Sequence, residues 1–462
     1  MTKLLVTNPA TENVAFEIEM HDEGQLDRLI ERARRAQREW ARVPVSERVG
    51  CVERFCERLL DRKESIALEI SQQMGKPVAQ AEGEVMRCTE RASYVASIAL
   101  DALRDRVVKL DDGIFRKLAL EPKGVLLDIA AWNYPLLIAI NMLAPAVLAG
   151  NAALIKHSSL TPLCATHLER AFVEAGVPEG IVTALMLDRK AAEGLLTDPR
   201  IRGIFFTGSV PAGHHVYKTA SANLIDVGLE LGGKDPAYVR GDVDLDTVVP
   251  IVADGAFYNC GQSCCAVERI YVARALYGEF VERFVETVAS YTLGDPLERE
   301  TYLGPLAQRS AIRTLEEQTR DAVAKGGRLL LGGEATTHQG LGSYFQPTVL
   351  VDVDHEMAVM RDESFGPIIG IMPVDDDSEA LRLMNDSEFG LTASIWTRDY
   401  ETAMGLAPEV EAGTVFLNRC DYVDPALVWT GVKESGKGAA LSELGFLEMV
   451  QPKSYHFVPA RS

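Results

Sequence analysis

A chain of 462 residues is too long for one hydrophobic core and implies two or three domains. Apolar residues make up 47% and charged residues 25%, the balance of an ordinary globular protein rather than a disordered or membrane-spanning one. With 67 acidic against 47 basic side chains the net charge is −20, which argues against nucleic acid and anionic membranes as partners.

The opening MTKLLVTNPATENVAF lacks a charged start followed by a long apolar stretch, so no signal peptide is expected. The first hundred residues read as helices. Residues 24–43 carry Leu26, Leu29, Ile30 and Ala33 at helical spacing, a second helix begins at Ser46 with Ser46-Glu47-Arg48 as cap and first turn, and a third runs from 77 to about 103. Their expected role is scaffold. Residues 107–122 alternate and read as a hairpin that pairs with the C-terminal SYHFVP.

From Gly124 short apolar runs alternate with helices. GVLLDIAAW, NAALIKHS, IVTALML, IRGIFFTG and NLIDVGLEL read as strands, with helices at 135–150, 161–176, 189–196 and 212–222 between them. Continuous apolar strands alternating with helices imply a parallel sheet covered on both faces, of the kind that binds nucleotides at its strand ends. The most apolar run, 135–150, holds Asn141 and Pro145 and reads as a buried helix, being short for a membrane span. A second alternating set starts near Glu268 and runs to GTVFLN at 413–418, enough for a second α/β domain. The eight cysteines (51, 56, 88, 164, 260, 264, 265 and 420) are scattered, unlike a disulfide framework, so reduced thiols and a cytoplasmic setting are expected.

Several segments carry side chains suited to chemistry. Gly208-Ser209-Val-Pro-Ala-Gly213 follows a strand and opens a helix, where glycines and free N–H groups suit a phosphate; a plain strand-to-helix turn is the alternative. Asn259-Cys260-Gly261-Gln262-Ser263-Cys264-Cys265 offers a thiol on a glycine turn, as a reactive nucleophile or a buried structural cysteine. Zinc-ligand spacing is absent there, so no metal is expected. Glu230 precedes Leu231 and two glycines at a strand end, poised in a cleft or merely solvated. Asn133, in Ala131-Trp132-Asn133-Tyr134-Pro135, sits where an amide can donate to an oxyanion. Glu363 and Phe365 lie in a turn, Asp362-Glu363-Ser364-Phe365-Gly366-Pro367.

Taken in order these segments resemble the NAD(P)-dependent aldehyde dehydrogenases, almost end to end. The motifs that carry the resemblance are WNYP at 132–135, Lys156 with Ser158, FTGS at 206–209, ELGGK at 230–234, GQSC at 261–264, ESFGP at 363–367 and FLN at 416–418. The 34-residue interval from Glu230 to Cys264 is common in that family. The resemblance implies an α/β fold: a Rossmann-type cofactor domain (1–107 and 124–231), a catalytic domain (232–435), and an oligomerisation element with tail (108–123 and 436–462).

It also implies roles. Cys264 attacks the aldehyde, Asn133 and the Cys264 N–H hold the oxyanion, and Glu230 activates the water that hydrolyses the thioester. Trp132, Lys156, Ser159, Gly208, Ser209, Gly213, Leu231, Glu363 and Phe365 line the NAD or NADP site. Tyr134, Asn141, Ser263, Cys265 and Arg419 face substrate. Partners are then a small aldehyde and further copies of the chain, as a homodimer or homotetramer. Rival readings are a CoA-acylating semialdehyde dehydrogenase, which usually lacks the Glu230 base, and a non-catalytic relative.

The chain departs from the family pattern at several points. Ser159 stands where NAD-preferring members carry a Glu that repels a 2′-phosphate, so NADP is expected alongside NAD. The usual tail Arg and Glu are replaced by Ala439 and Ala440, and the Lys that pairs with that Glu by Met142. The tail and Lys156-His157 resemble short bacterial succinate-semialdehyde dehydrogenases most, yet Asn141 replaces the Arg that holds their distal carboxylate; Arg419 is the candidate substitute.

Overall fold

The computed structural model describes residues 3–110 and 113–459. Positions 1–2, 111–112 and 460–462, which fall within the expected cofactor domain, hairpin and tail, lie outside the described residues. Two sheets organise the chain around two separate hydrophobic cores. In the first, parallel strands Val125–Ala130, Ala152–His157, Val182–Ala184, Ile201–Thr207 and Asp226–Glu230 pair with Val125–Ala130 central. The strand order reverses between Val125–Ala130 and Ile201–Thr207, which opens the crevice where such sheets bind dinucleotides. Both faces are covered, which is why these strands are apolar throughout. The helix Pro135–Ala149 is buried along its whole length, with Pro135 in its first turn.

The second sheet has seven strands, with Asp235–Val239 and Val267–Ala273 near its centre. Six are parallel; Arg328–Leu331 joins antiparallel at one edge. Three segments differ from the sequence expectation. The N-terminus starts with a hairpin, Lys3–Thr7 against Val14–Glu19, rather than a helix. The second helix begins at Val45 after Pro44, so Ser46 lies inside it and does not cap it. A further helix, Lys63–Met74, fills the interval before Val78–Ala102.

The expected hairpin forms: Arg106–Val108 and Phe115–Pro122 pair, and Val450–Phe457 adds antiparallel to make a three-stranded sheet. The tail itself divides. Gly436–Lys437 adds an antiparallel edge to the first sheet beside Glu230, and only Val450–Phe457 joins the hairpin. No helix among the described residues is long and apolar enough to cross a membrane.

Candidate active site

The cysteine segment folds into a tight loop because its backbone turns left-handed three times running. Asn259, Cys260 and Gly261 have φ of 53°, 57° and 66°. A Cβ on Gly261 would lie 2.3 Å from the Gly366 carbonyl oxygen, so only glycine lets this loop close on the 363–367 turn. Gln262 is buried and braces the loop: its Nε2 donates to the Asn259 carbonyl (3.1 Å) and its Oε1 accepts from the Ala307 N–H (3.0 Å). Asn259 Nδ2 donates to the Asn133 carbonyl (3.1 Å), tying the loop to the WNYP turn.

That brace sorts the three clustered cysteines. Cys260 is buried, its Sγ 3.0 Å from the Gly304 carbonyl oxygen, and burial pushes its thiol up to about 12. Cys265 is also buried and donates to Asp421 (3.2 Å); the adjacent Cys264 side chain, then burial, raises its pKa. Cys264 alone is half-buried and open to a cavity of about 540 Å³.

Glu230 lines the same cavity, as do Tyr134, Asn141, Ser263, Cys265 and Arg419. Thr207 Oγ1 donates to Glu230 Oε2 at 3.4 Å, and burial pushes the Glu230 carboxyl up to about 7 against the opposing pull of Arg91. Asn133 is 3% exposed, next to the cavity-lining Tyr134, and its carbonyl is tied to Asn259 of the cysteine loop. Asn141 is on the wall, but its Oδ1 is taken by Arg91 Nη1 at 2.7 Å. Arg419 is exposed and stacks 3.2 Å over the Tyr422 ring.

The two glycines after Leu231 bring the domains together. A Cβ on Gly232 would meet the Glu363 carboxylate at 2.3 Å, and one on Gly233 would meet the Cys264 carbonyl oxygen at 2.4 Å. The Gly233 N–H donates to Glu363 Oε1 (3.1 Å), and burial pushes Glu363 up to about 7. Beneath it a buried pair, Lys234 and Glu268 (2.8 Å), fixes the turn: Glu268 accepts the N–H groups of Ser364 (2.8 Å) and Phe365 (2.9 Å). Phe365 then meets Trp132 edge-on at 5.5 Å.

The crevice end of the first sheet fits a dinucleotide. Ser209 caps the helix Val210–Ala220 without a side-chain cap bond, leaving its hydroxyl and the first-turn N–H groups for an anion. Gly213 packs directly on Leu231. Lys156 ends its strand half-buried, its pKa drawn down by burial and supported by Asp188, with Ser159 exposed three residues on. Among the described residues no group of three or more His, Cys, Asp or Glu is placed to hold a metal ion. His157 is structural: its buried ring bonds the Pro135 carbonyl (2.8 Å) and Thr161 (3.0 Å).

Groups at the site that escaped the sequence reading include Arg87, Arg91, Asp421 and Asp128. Gln80, Glu84, Cys88, Arg91 and Val95 lie three or four residues apart and are all buried on one face of the helix Val78–Ala102. Polar residues on a buried stripe were the signal there. Met142 and Ala440, the positions of the missing ion pair, line one small cavity together with Asp128 and Glu230.

A nucleotide-type sheet set against a cavity onto which the half-buried Cys264 thiol and the Glu230 carboxyl both open is the plan of a dinucleotide-linked oxidoreductase working through sulfur. The family comparison is specific: the aldehyde dehydrogenase family profile matches residues 2–455, and the chain belongs to that family. It is 37% identical to the NADP(+) succinate-semialdehyde dehydrogenase of Deinococcus radiodurans, over 98% of this chain and 94% of that one. It is 34% identical to the NAD(P)+ succinate semialdehyde dehydrogenase Sad of Escherichia coli, over 97% and 96%. The succinic semialdehyde dehydrogenase of Streptococcus pyogenes, solved in complex with NADP+ as the cofactor, superposes with a TM-score of 0.94 at 29% identity, covering 99% and 100%. The chain is thus an NAD(P)-dependent aldehyde dehydrogenase, converting an aldehyde to a carboxylate.

Proposed function

We propose that the reaction runs through Cys264, with Glu230 as general base and Asn133 and the Cys264 N–H as oxyanion donors. The observation that carries this is the shared cavity: the only half-exposed thiol of the cysteine cluster and a carboxyl with a pKa of about 7 open onto the same space. Cys264 adds to the aldehyde carbon. The crevice residues named below would hold NAD(P)+, which would supply the hydride acceptor. A thioester on Cys264 results; Glu230 takes a proton from water, the water oxygen bonds the acyl carbon, and sulfur leaves as thiolate. Trp132, Lys156, Ser159, Gly208, Ser209, Gly213, Leu231, Glu363 and Phe365 hold the cofactor in this reading. Its three-part organisation is a cofactor unit (1–107 and 124–231), a catalytic unit (232–435) and the small sheet with the tail. We assign the small sheet to a homodimer or homotetramer contact and the protein to the cytoplasm.

The substrate best suited to the cavity is a semialdehyde with a distal anionic group: Arg87, Arg91 and Arg419 line it beside the acidic Glu90, Asp254, Asp421 and Asp424, and Arg91 sits on the Asn141 wall close to Glu230. Arg91, held by Asn141 Oδ1, stands in space near where the family's carboxylate-binding Arg was expected. The test is side-by-side kinetics of succinate semialdehyde, hexanal and benzaldehyde without CoA, following reduced cofactor, in the native enzyme and in Cys264→Ala. The expected result is acid formation without CoA, a preference for the anionic substrate, and no turnover in Cys264→Ala. Turnover that survives Cys264→Ala, or that requires CoA, refutes the mechanism; equal kcat/KM for all three refutes the substrate class. For the cofactor, Ser159→Glu is expected to cost at least ~10-fold in kcat/KM for NADP while sparing NAD, through the carboxylate's repulsion of the 2′-phosphate.

A further inference from the structure

Asp128 is the one charged residue in the strand Val125–Ala130, flanked in the sheet by Ile155 and Phe205. It is 2% exposed, and its Oδ2 is buried without a hydrogen-bond partner. Leaving a buried carboxyl oxygen unpaired is costly, so its presence calls for a use. The side chain opens onto a cavity of about 30 Å³ whose wall also includes Glu230, Thr207, Asn141, Met142 and Lys437. That volume accommodates about one water, with several polar groups to bind it. Glu230, Thr207 and Asn141 line this small cavity and the large one alike, so Glu230 stands between them. Lys437, which is exposed, marks the outer end.

We propose that Asp128 is a positioning residue acting through Glu230: it passes the proton that Glu230 takes from the attacking water outward, across a water in the small cavity, to solvent at Lys437. The inference rests on Glu230 being the general base. Burial, then the charge of Glu230, hold the Asp128 carboxyl well above the usual carboxylate range, which favours the protonated form that a relay needs. In deacylation the water O–H bond breaks and its proton joins Glu230, while the C–O bond forms and the C–S bond breaks with its electron pair on sulfur. Asp128 releases its own proton to solvent through the bridging water and is reprotonated from Glu230. One proton leaves by this route per turnover, the second water proton departs with the product acid and is lost from it to solvent, and both carboxyls return to their starting states.

The charged and titratable groups facing the pair include Arg91 on the helix Val78–Ala102 and Lys437 on the edge strand; across the large cavity stand Arg87, Glu90, Asp254, Arg419, Asp421 and Asp424 with the thiols of Cys264, Cys265 and Cys420. The helix Pro135–Ala149 contributes only Ile138, Asn141 and Met142, none of which titrates.

The experiment compares native enzyme, Asp128→Asn, Asp128→Ser and Glu230→Gln with one aldehyde. It reads the first-turnover burst of reduced cofactor, the steady-state rate across pH, its dependence on imidazole buffer, and thermal stability. Expected for both Asp128 variants are an unchanged burst and melting temperature, a steady-state kcat lower by about 10–100-fold, less than loss of the base itself, and recovery as buffer base is added. An unchanged kcat and pH profile overturns the inference, and so does a buffer-independent loss that tracks thermal stability. The Glu230→Gln arm separates the two readings. If that variant keeps full turnover, the general-base reading fails. If it stalls after the burst while Asp128→Asn turns over normally, only the relay fails.

Discussion

Three cysteines within six residues of one another have three different chemistries because of what each touches. Cys260 is locked onto a carbonyl, Cys265 onto Asp421, and Cys264 is left facing the cavity. The carboxyls at the site follow the same logic of burial. Glu363 has a folded-state pKa of about 7 against 4.5 for the free group. It therefore binds its proton more tightly when folded, and its contribution to stability is present below about pH 4.5 and lost as pH rises through about 7. Glu363→Gln, which keeps an acceptor for the Gly233 N–H, is expected to stabilise the protein at about pH 8 and to leave it unchanged near pH 4. Denaturant titrations at the two pH values measure this; equal effects at both would contradict it.

At the scale of elements, the strand ends carry function and the glycines set their spacing. Glu230 terminates a parallel strand, and Gly232 and Gly233 let Glu363 and the Cys264 carbonyl approach closer than any side chain allows. Gly233→Ala places a Cβ 2.4 Å from that carbonyl, which is backbone and cannot rotate away. The expected outcome is a stability loss of about 1–3 kcal/mol from overpacking. The fall in kcat is expected to exceed what that loss explains, because the displaced atoms belong to the Cys264 loop. Thermal melts and steady-state kinetics on the same preparation check both parts. The helix Val78–Ala102 has a parallel lesson: its buried face holds Gln80, Glu84 and Arg91, which bind the cysteine loop, the Leu136 N–H in the first turn of the helix Pro135–Ala149, and Asn141 in turn.

For the whole molecule, two cores meet at the cavity, and a small sheet extends from the first, anchored there by Val450 and Leu120. On that sheet Val107, Phe115, Leu118 and Phe457 are exposed, and the Phe115 and Phe457 rings stack at 5.8 Å. Apolar side chains gathered on a sheet of this kind suit burial against another copy. The double substitution of Phe115 and Phe457 by Asp is expected to lower the sedimentation mass of the native oligomer without unfolding the subunit. A native protein that sediments as a monomer would remove the basis for that assignment.

The alternation of apolar runs and helices from Gly124 onward already specified both parallel sheets, because a strand buried on two faces has to be apolar throughout. WNYP, ELGGK, GQSC and ESFGP specified the family and the candidate nucleophile and base, because each is a short local arrangement that chemistry constrains. The N-terminal hairpin and the short helix at 63–74 were not set apart from the helices around them, and the tail's division between two sheets was not legible because its partners, 229–230 and 115–122, lie hundreds of residues away. Tertiary structure alone decided which cysteine is accessible, since exposure depends on Asp421 and Gly304, far away in sequence. It alone brought Arg91 to Asn141, and Asp128 to the void behind Glu230. A carboxylate inside an apolar strand is visible in the sequence, but what it faces is fixed only when the sheet, the helix Pro135–Ala149 and the edge strand at 436–437 pack around it.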